Sequence, residues 1–177
     1  MNEEANKRLG NLIFSLAHGN IAALADIYML MVKILYAVGN IYFTQRADIE
    51  DAIQNLLILL YDNAHKFKRN KNACAWIIKL YQNMIYKNLK KRKSEDNYIS
   101  EQIQLQNITS LEDNSKYIEN YLFFNEIFDK LDKYEQDLVI YRCVGKCSIK
   151  EVADILGKPK STVESQLKKL ENKIKNI

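Results

Sequence analysis

Apolar residues recur at helical spacing in one segment after another. Leu9–Ala17 reads as a short helix closed at His18-Gly19-Asn20, and Ile21–Phe43 as a longer one. At 100° per residue, Leu24, Ile27, Tyr28, Met31, Leu35 and Val38 line one side of that second helix, and Asp26 and Lys33 fall opposite. The segment is apolar enough to raise the membrane question. Two charges near a bilayer centre would each cost about 2.5–3.5 kcal/mol, so the pattern predicts an amphipathic core helix and no membrane insertion. Asp48–Asp62 predicts a third helix, with Ile49, Ala52, Ile53, Leu56 and Leu60 inward and Asp51, Gln54, Asn55, Ile58 and Asp62 outward. Ile58 stands in the middle of that acidic-polar face. By pattern alone it fits equally a stray exposed apolar residue and a greasy anchor for a partner.

Ala64–Ala73 (AHKFKRNKNA) has no periodicity and predicts a basic loop. Cys74–Arg92 predicts a fourth helix, with Trp76, Ile77, Leu80, Met84, Ile85 and Leu89 facing inward. Lys79, Gln82, Asn83, Tyr86, Lys87 and Lys90 lie off that stripe. The apolar pattern lapses over 94–116, which predicts a linker with a short helix around Ile99–Leu105. Helical spacing returns in Tyr117–Leu131 and Tyr134–Val144.

Composition agrees with an all-α chain. With 5 Gly and 1 Pro in 177 residues there is little material for the turns of an all-β fold. At 47% hydrophobic and 27% charged residues, disorder and collagen-like repetition are excluded. The length allows one large domain or two small ones. The three cysteines, Cys74, Cys143 and Cys147, are too few and too uneven for a disulfide framework. With no secretory signal, a cytoplasmic location is expected.

Charge is where the chain departs from the ordinary. The net value is only +4, yet residues 64–93 carry 10 Lys/Arg and no acid. Residues 94–137 hold 11 acidic against 3 basic residues, and 138–177 hold 9 basic against 4 acidic. Two basic blocks separated by an acidic one predict two contacts with a polyanion, joined by a segment that avoids it.

The most legible chemistry is SIKEVADILGKPKSTVESQLKKL, residues 148–170. Ser148 and Glu151 form a capping-box pattern that opens a short helix. Ala153 gives room for a close helix approach. Gly157 suits a left-handed turn, and Pro159 suits the first turn of the next helix. Val163, Leu167 and Leu170 pin that second helix to the first. This is a helix-turn-helix with a basic, polar outer face.

The same stretch, in the form GKCSIKEVADILGKPKSTVESQLKKLENKI, resembles region four of the small, extracytoplasmic-function type of RNA polymerase sigma factor, whose pattern runs G-x-S-x-x-E-I-A-x-x-L-G and then T-V-K-S-R-L. EDAIQNLLILLY and ACAWIIKLYQNMIYKNLKKRK resemble the two region-two patterns of the family. The resemblance implies an all-α protein of two small helical domains on an acidic linker. They are region two over 1–93, the linker over 94–116, and region four with its helix-turn-helix over 117–177. It implies core RNA polymerase and promoter DNA as partners, a possible anti-sigma factor, no cofactor or metal, and no catalysis. The polymerase face maps to Asp51, Gln54, Asn55, Ile58 and Asp62. The minus-ten contacts map to Lys66, Phe67, Lys68, Arg69, Asn70 and Lys71 in the loop, and to Lys79, Gln82, Asn83, Tyr86, Lys87 and Lys90 on the fourth helix. The minus-thirty-five contacts map to Lys160, Ser161, Thr162, Glu164, Ser165, Gln166, Lys168 and Lys169.

Three residues depart from the family pattern. Asn55 replaces the usual acid, and Glu164 and Gln166 replace the usual Lys and Arg. Glu164 fits two accounts, a capping box with Ser161 or acceptance from a cytosine amino group. The runner-up function is a stand-alone helix-turn-helix regulator. An enzyme finds little support: His18 and His65 are the only histidines, no Gly-rich phosphate loop is present, and Cys143-x-x-x-Cys147 falls short of the four ligands of structural zinc.

Overall fold

The computed structural model describes residues 3–95, 127–128 and 130–175, apart from the side chains of 90–95. Among these residues there are helices and turns and no strand. The chain forms two compact units that divide between Ser110 and Leu111. The expected helix around Ile99–Leu105, the linker beyond Glu95 and the start of Tyr117–Leu131 lie outside the described residues.

The N-terminal unit packs four helices: α1 (Glu3–Ala17), α2 (Ala23–Tyr42), α3 (Arg46–Asn63) and α4 (Ala73–Glu95). The first begins six residues before the apolar pattern does. Glu3 and Glu4 occupy its first turn, where negative charge suits the helix dipole. It closes at Gly19, whose φ of +94° is cheap only for glycine. The second helix passes a length-and-hydropathy test for a membrane span, yet it uses its apolar stripe within the unit. Ala23, Ile27, Met31, Leu35, Val38 and Gly39 are buried, and Asp26 and Lys33 are exposed. All five residues expected to face inward on α3 are buried.

Gly39 marks where α2 and α3 meet most closely. A Cβ there would stand 2.6 Å from Ile49 Cγ2 and 3.0 Å from Tyr81 Oη. The hydroxyl of Tyr81 is fully buried without a hydrogen-bond partner, and burial raises its pKa, so it stays neutral.

The fourth helix is turned relative to the expected wheel. Cys74, Ile77, Ile78, Tyr81, Gln82 and Ile85 are buried, whereas Trp76, Leu80, Met84 and Leu89 are half-buried. Small residues Ala73, Cys74 and Ala75 let the start of α4 sink into the unit. Farther along, a polar pair goes inside because it finds partners there. Gln82 Nε2 donates to Tyr42 Oη at 3.3 Å, and the Tyr42 and Tyr86 hydroxyls lie 3.0 Å apart.

The described part of the C-terminal unit holds α5 (Lys133–Val139), a π-helical turn Ile140–Val144, α6 (Ile149–Leu156) and α7 (Lys160–Lys175). An unforeseen capping box opens α5: Asp132 accepts from Glu135 N at 2.8 Å, and Glu135 accepts from Asp132 N at 3.0 Å. The same Glu135 carboxylate receives Lys173 Nζ at 2.6 Å, joining the start of α5 to the last turn of α7. Leu138, Ile140, Tyr141, Cys147, Val152, Val163 and Leu170 form the core. The three cysteines are present as thiols, Cys74 and Cys147 buried and Cys143 exposed.

Candidate nucleic-acid interface

The helix-turn-helix is built as its residues require. Ser148 Oγ accepts from Glu151 N at 3.3 Å, and the Glu151 carboxylate accepts from Ser148 N at 2.7 Å, so both capping bonds are made. Gly157 ends α6 with φ +63° and donates its N–H to Ala153 O. Lys158 N donates to the same carbonyl at 3.0 Å. Ala153, Val152 and Val163 are buried where the two helices meet. Pro159 stands one position before α7, its carbonyl accepting from Val163 N at 3.2 Å.

That start point corrects one expectation. Ser161 lies inside α7, so it does not cap the helix with Glu164. Glu164 Oε1 instead meets Lys160 Nζ at 3.4 Å, one turn back. On the outer side, Lys160, Ser161, Ser165, Lys168 and Lys169 are exposed, and Thr162, Glu164 and Gln166 are half-buried. Ser165 spends its hydroxyl on the Thr162 carbonyl at 3.0 Å.

In the other unit, the basic loop is short and anchored at each end. A 3₁₀ turn, Ala64–Lys66, leads out of α3, and Lys66 Nζ donates to Asn63 Oδ1 at 2.7 Å. Lys68 to Lys71 make a tight turn, closed by Lys71 N to Lys68 O at 2.9 Å. Asn72 begins α4, its side chain accepting from Ala75 N at 2.8 Å. Lys66, Lys68, Arg69, Asn70 and Lys71 are exposed. Phe67 is half-buried against Trp76, ring centroids 5.3 Å apart.

On α4, Lys79, Asn83 and Lys87 are exposed and Tyr86 is half-buried. Gln82, expected on the outer side, is 3% exposed and belongs to the interior network with Tyr42. The side chain of Lys90 is not among those described. On α3, Asp51, Gln54, Asn55, Ile58 and Asp62 are all exposed, Ile58 at 63%. Tyr61 joins them at 49%. The sequence reading missed it, though its place three residues after Ile58 puts it on the same face.

At the flank of that face, Arg46 Nε and Tyr36 Oη both donate to Glu50 Oε1, at 2.8 and 2.9 Å. The arginine bond and then the tyrosine bond hold the Glu50 carboxyl below its usual pKa. Among the described residues no cluster of His, Cys, Asp and Glu could hold a metal ion.

Residues 124–174, which contain this helix-turn-helix, match the family Sigma-70, region 4. The match by sequence is confined to these residues, and the likeness of the chain as a whole is one of fold. The fold of this chain is similar to the structure of CnrH in complex with the cytosolic domain of CnrY, at a TM-score of 0.69 and 16% identity, covering 97% of this chain and 96% of that one. It is also similar to the sigma factor RpoE from Bartonella quintana, solved in complex with the anti-sigma factor NepR, at a TM-score of 0.58 and 18% identity, covering 85% and 95%. No curated protein matches the chain by sequence.

Proposed function

We propose that this chain is a sigma factor: it docks on core RNA polymerase through the outer face of α3, engages the minus-ten element with the basic loop and α4, and places α7 in the major groove at the minus-thirty-five element. The observation that carries this reading is the match to region four over a helix-turn-helix whose two helices and turn are fully built. Physical chemistry assigns the remaining parts. An outward helix groove-filler with exposed Lys160, Lys168 and Lys169 supplies phosphate contacts. Exposed Lys66, Lys68 and Lys71 beside an aromatic pair offer the cationic, partly aromatic surface that offsets the few kcal/mol needed to unstack a base. The Ile58–Tyr61 pair in an acidic rim has the anatomy of a small interface core.

The protein acts in the cytoplasm, with polymerase and promoter, and contributes binding rather than catalysis. CnrH and RpoE were each solved with a partner protein bound, and an anti-sigma factor is the third partner we propose. A stand-alone regulator needs neither the α3 face nor the basic loop.

Replacing Ile58 with Lys tests the assignment. The side chain is 63% exposed, so melting should be unchanged. Binding to core polymerase, titrated by fluorescence anisotropy, should weaken by about 1–3 kcal/mol, as for loss of an interface anchor. Unchanged affinity in a well-folded variant removes α3 from the polymerase interface.

A further inference from the structure

One side of α1 carries Asn6, Gly10, Phe14 and His18 at a spacing of four, so they form a single stripe along the helix. The basic loop and the start of α4 lie along that stripe. The Asn6 side chain accepts from Cys74 N at 3.0 Å. Gly10 leaves room for Phe67: a Cβ there would stand 3.6 Å from the phenylalanine ring. Arg69 sets its guanidinium 4.0 Å from the centroid of the Phe14 ring and donates from Nη2 to Asn11 Oδ1 at 3.1 Å. The Phe14 ring is steadied in turn by His18, ring centroids 4.2 Å apart, whose Nδ1 lies 2.8 Å from the Phe14 carbonyl oxygen. Phe14 is 40% exposed. An aromatic ring on the surface with a cation over it is doing something other than filling a core.

The loop cations are therefore not equivalent. Lys68 is exposed, whereas Arg69 is committed to α1 by a cation–π contact and a hydrogen bond. We propose that Arg69 is a positioning residue: with Phe14 and Asn11 it fixes the basic loop in place for opened promoter DNA, and it is not itself a contact to that DNA. The inference rests on the reading of this loop as the minus-ten element's binding surface. Its reasoning is entropic. A loop already ordered on α1 loses less freedom when it captures a single strand, so loosening the tether slows opening while duplex docking by α7 proceeds as before.

The test uses the full-length protein with core polymerase, on a promoter selected from a randomised library by the wild-type holoenzyme. Four variants are compared: Phe14→Leu, Phe14→Tyr, Arg69→Gln, and the double Phe14→Leu/Arg69→Gln. Open-complex formation is followed by permanganate reactivity, loop order by amide hydrogen exchange over 68–72, and fold by melting. Phe14→Leu, which removes the ring but no charge, should slow opening about two- to fivefold, the equivalent of one exposed cation–π contact. It should speed exchange in the loop and leave melting unchanged. Phe14→Tyr keeps the ring face and should behave as wild type. Arg69→Gln should match Phe14→Leu, and the double variant should be no worse than either single, because both remove one interaction. A defect in Arg69→Gln with none in Phe14→Leu makes Arg69 a DNA contact and overturns the inference. So does faster exchange with unchanged opening. A wild-type holoenzyme that opens no promoter in the library brings down the functional reading itself, and the inference with it.

Discussion

The two parts we propose to face DNA are held in shape by different means. The turn of the helix-turn-helix is fixed from within a dozen residues: a capping box at Ser148 and Glu151, a left-handed Gly157, and two amides converging on the Ala153 carbonyl. The basic loop has its own local fixings, the Lys66 bond to Asn63, the Lys68–Lys71 turn and the Asn72 cap. The rest comes from afar, since Asn6, Gly10, Asn11 and Phe14 stand about sixty residues away in sequence. The helix-turn-helix is a self-contained local structure, whereas the basic loop borrows its shape from the body of its domain.

The comparison breaks most readily at the centre of the N-terminal unit. Gly39→Ala should destabilise that unit by about 1–3 kcal/mol, because the added carbon meets Ile49 at 2.6 Å with little room to relax. Chemical denaturation followed at Trp76, the single tryptophan of the chain, reads the unit selectively. The turn of the C-terminal unit should respond through backbone strain instead. Gly157→Ala should cost about 1–2 kcal/mol, since nothing stands within 4 Å of the new carbon and only the φ of +63° opposes it. Calorimetry of the full chain should show the loss in one transition only. Ser148→Ala removes one capping acceptor and should cost about 1 kcal/mol, with Ser148→Asp restoring it, both read by thermal melting.

The smallest effect is at the edge of α3. Glu50 has its carboxyl pKa lowered by Arg46 and Tyr36. A carboxylate favoured in the folded state contributes its stability in full above the ordinary value of about 4.3, and loses it as pH falls through the lowered folded value. Glu50→Gln should therefore melt slightly below wild type at neutral pH, and the gap should close in acid. The pair is exposed and the difference small, so a pH series of melting curves is the measurement.

The same contrast governs what could be read from the residues. The helix-turn-helix was legible to the level of single hydrogen bonds, because a capping box and a turn glycine act over three or four positions. The buried side of α3 was legible residue by residue, while on its outer side Tyr61 beside Ile58 was not. The α4 stripe was not. Gln82 looks like a surface residue on a wheel and is interior in the structure, because Tyr42, forty residues earlier, supplies the partner. Glu164 misled in another way: a capping-box pattern was present at Ser161, but the helix starts before it, and a lysine one turn back is met instead. Asp132 and Glu135 carried the genuine pattern and went unread beneath an apolar stretch.

The join between α2 and α4 has one more consequence. Its described hydrogen bonds join a tyrosine, a second tyrosine and an amide, each an uncharged side chain. Mobile ions screen charge pairs and leave neutral hydrogen bonds nearly untouched, whereas grip on a polyanion fades steeply as counterions compete. Raising the ionic strength should thus release the N-terminal unit from its DNA while its frame stays closed. A salt titration would then report the number of phosphates gripped, uncontaminated by loosening of the domain that grips them.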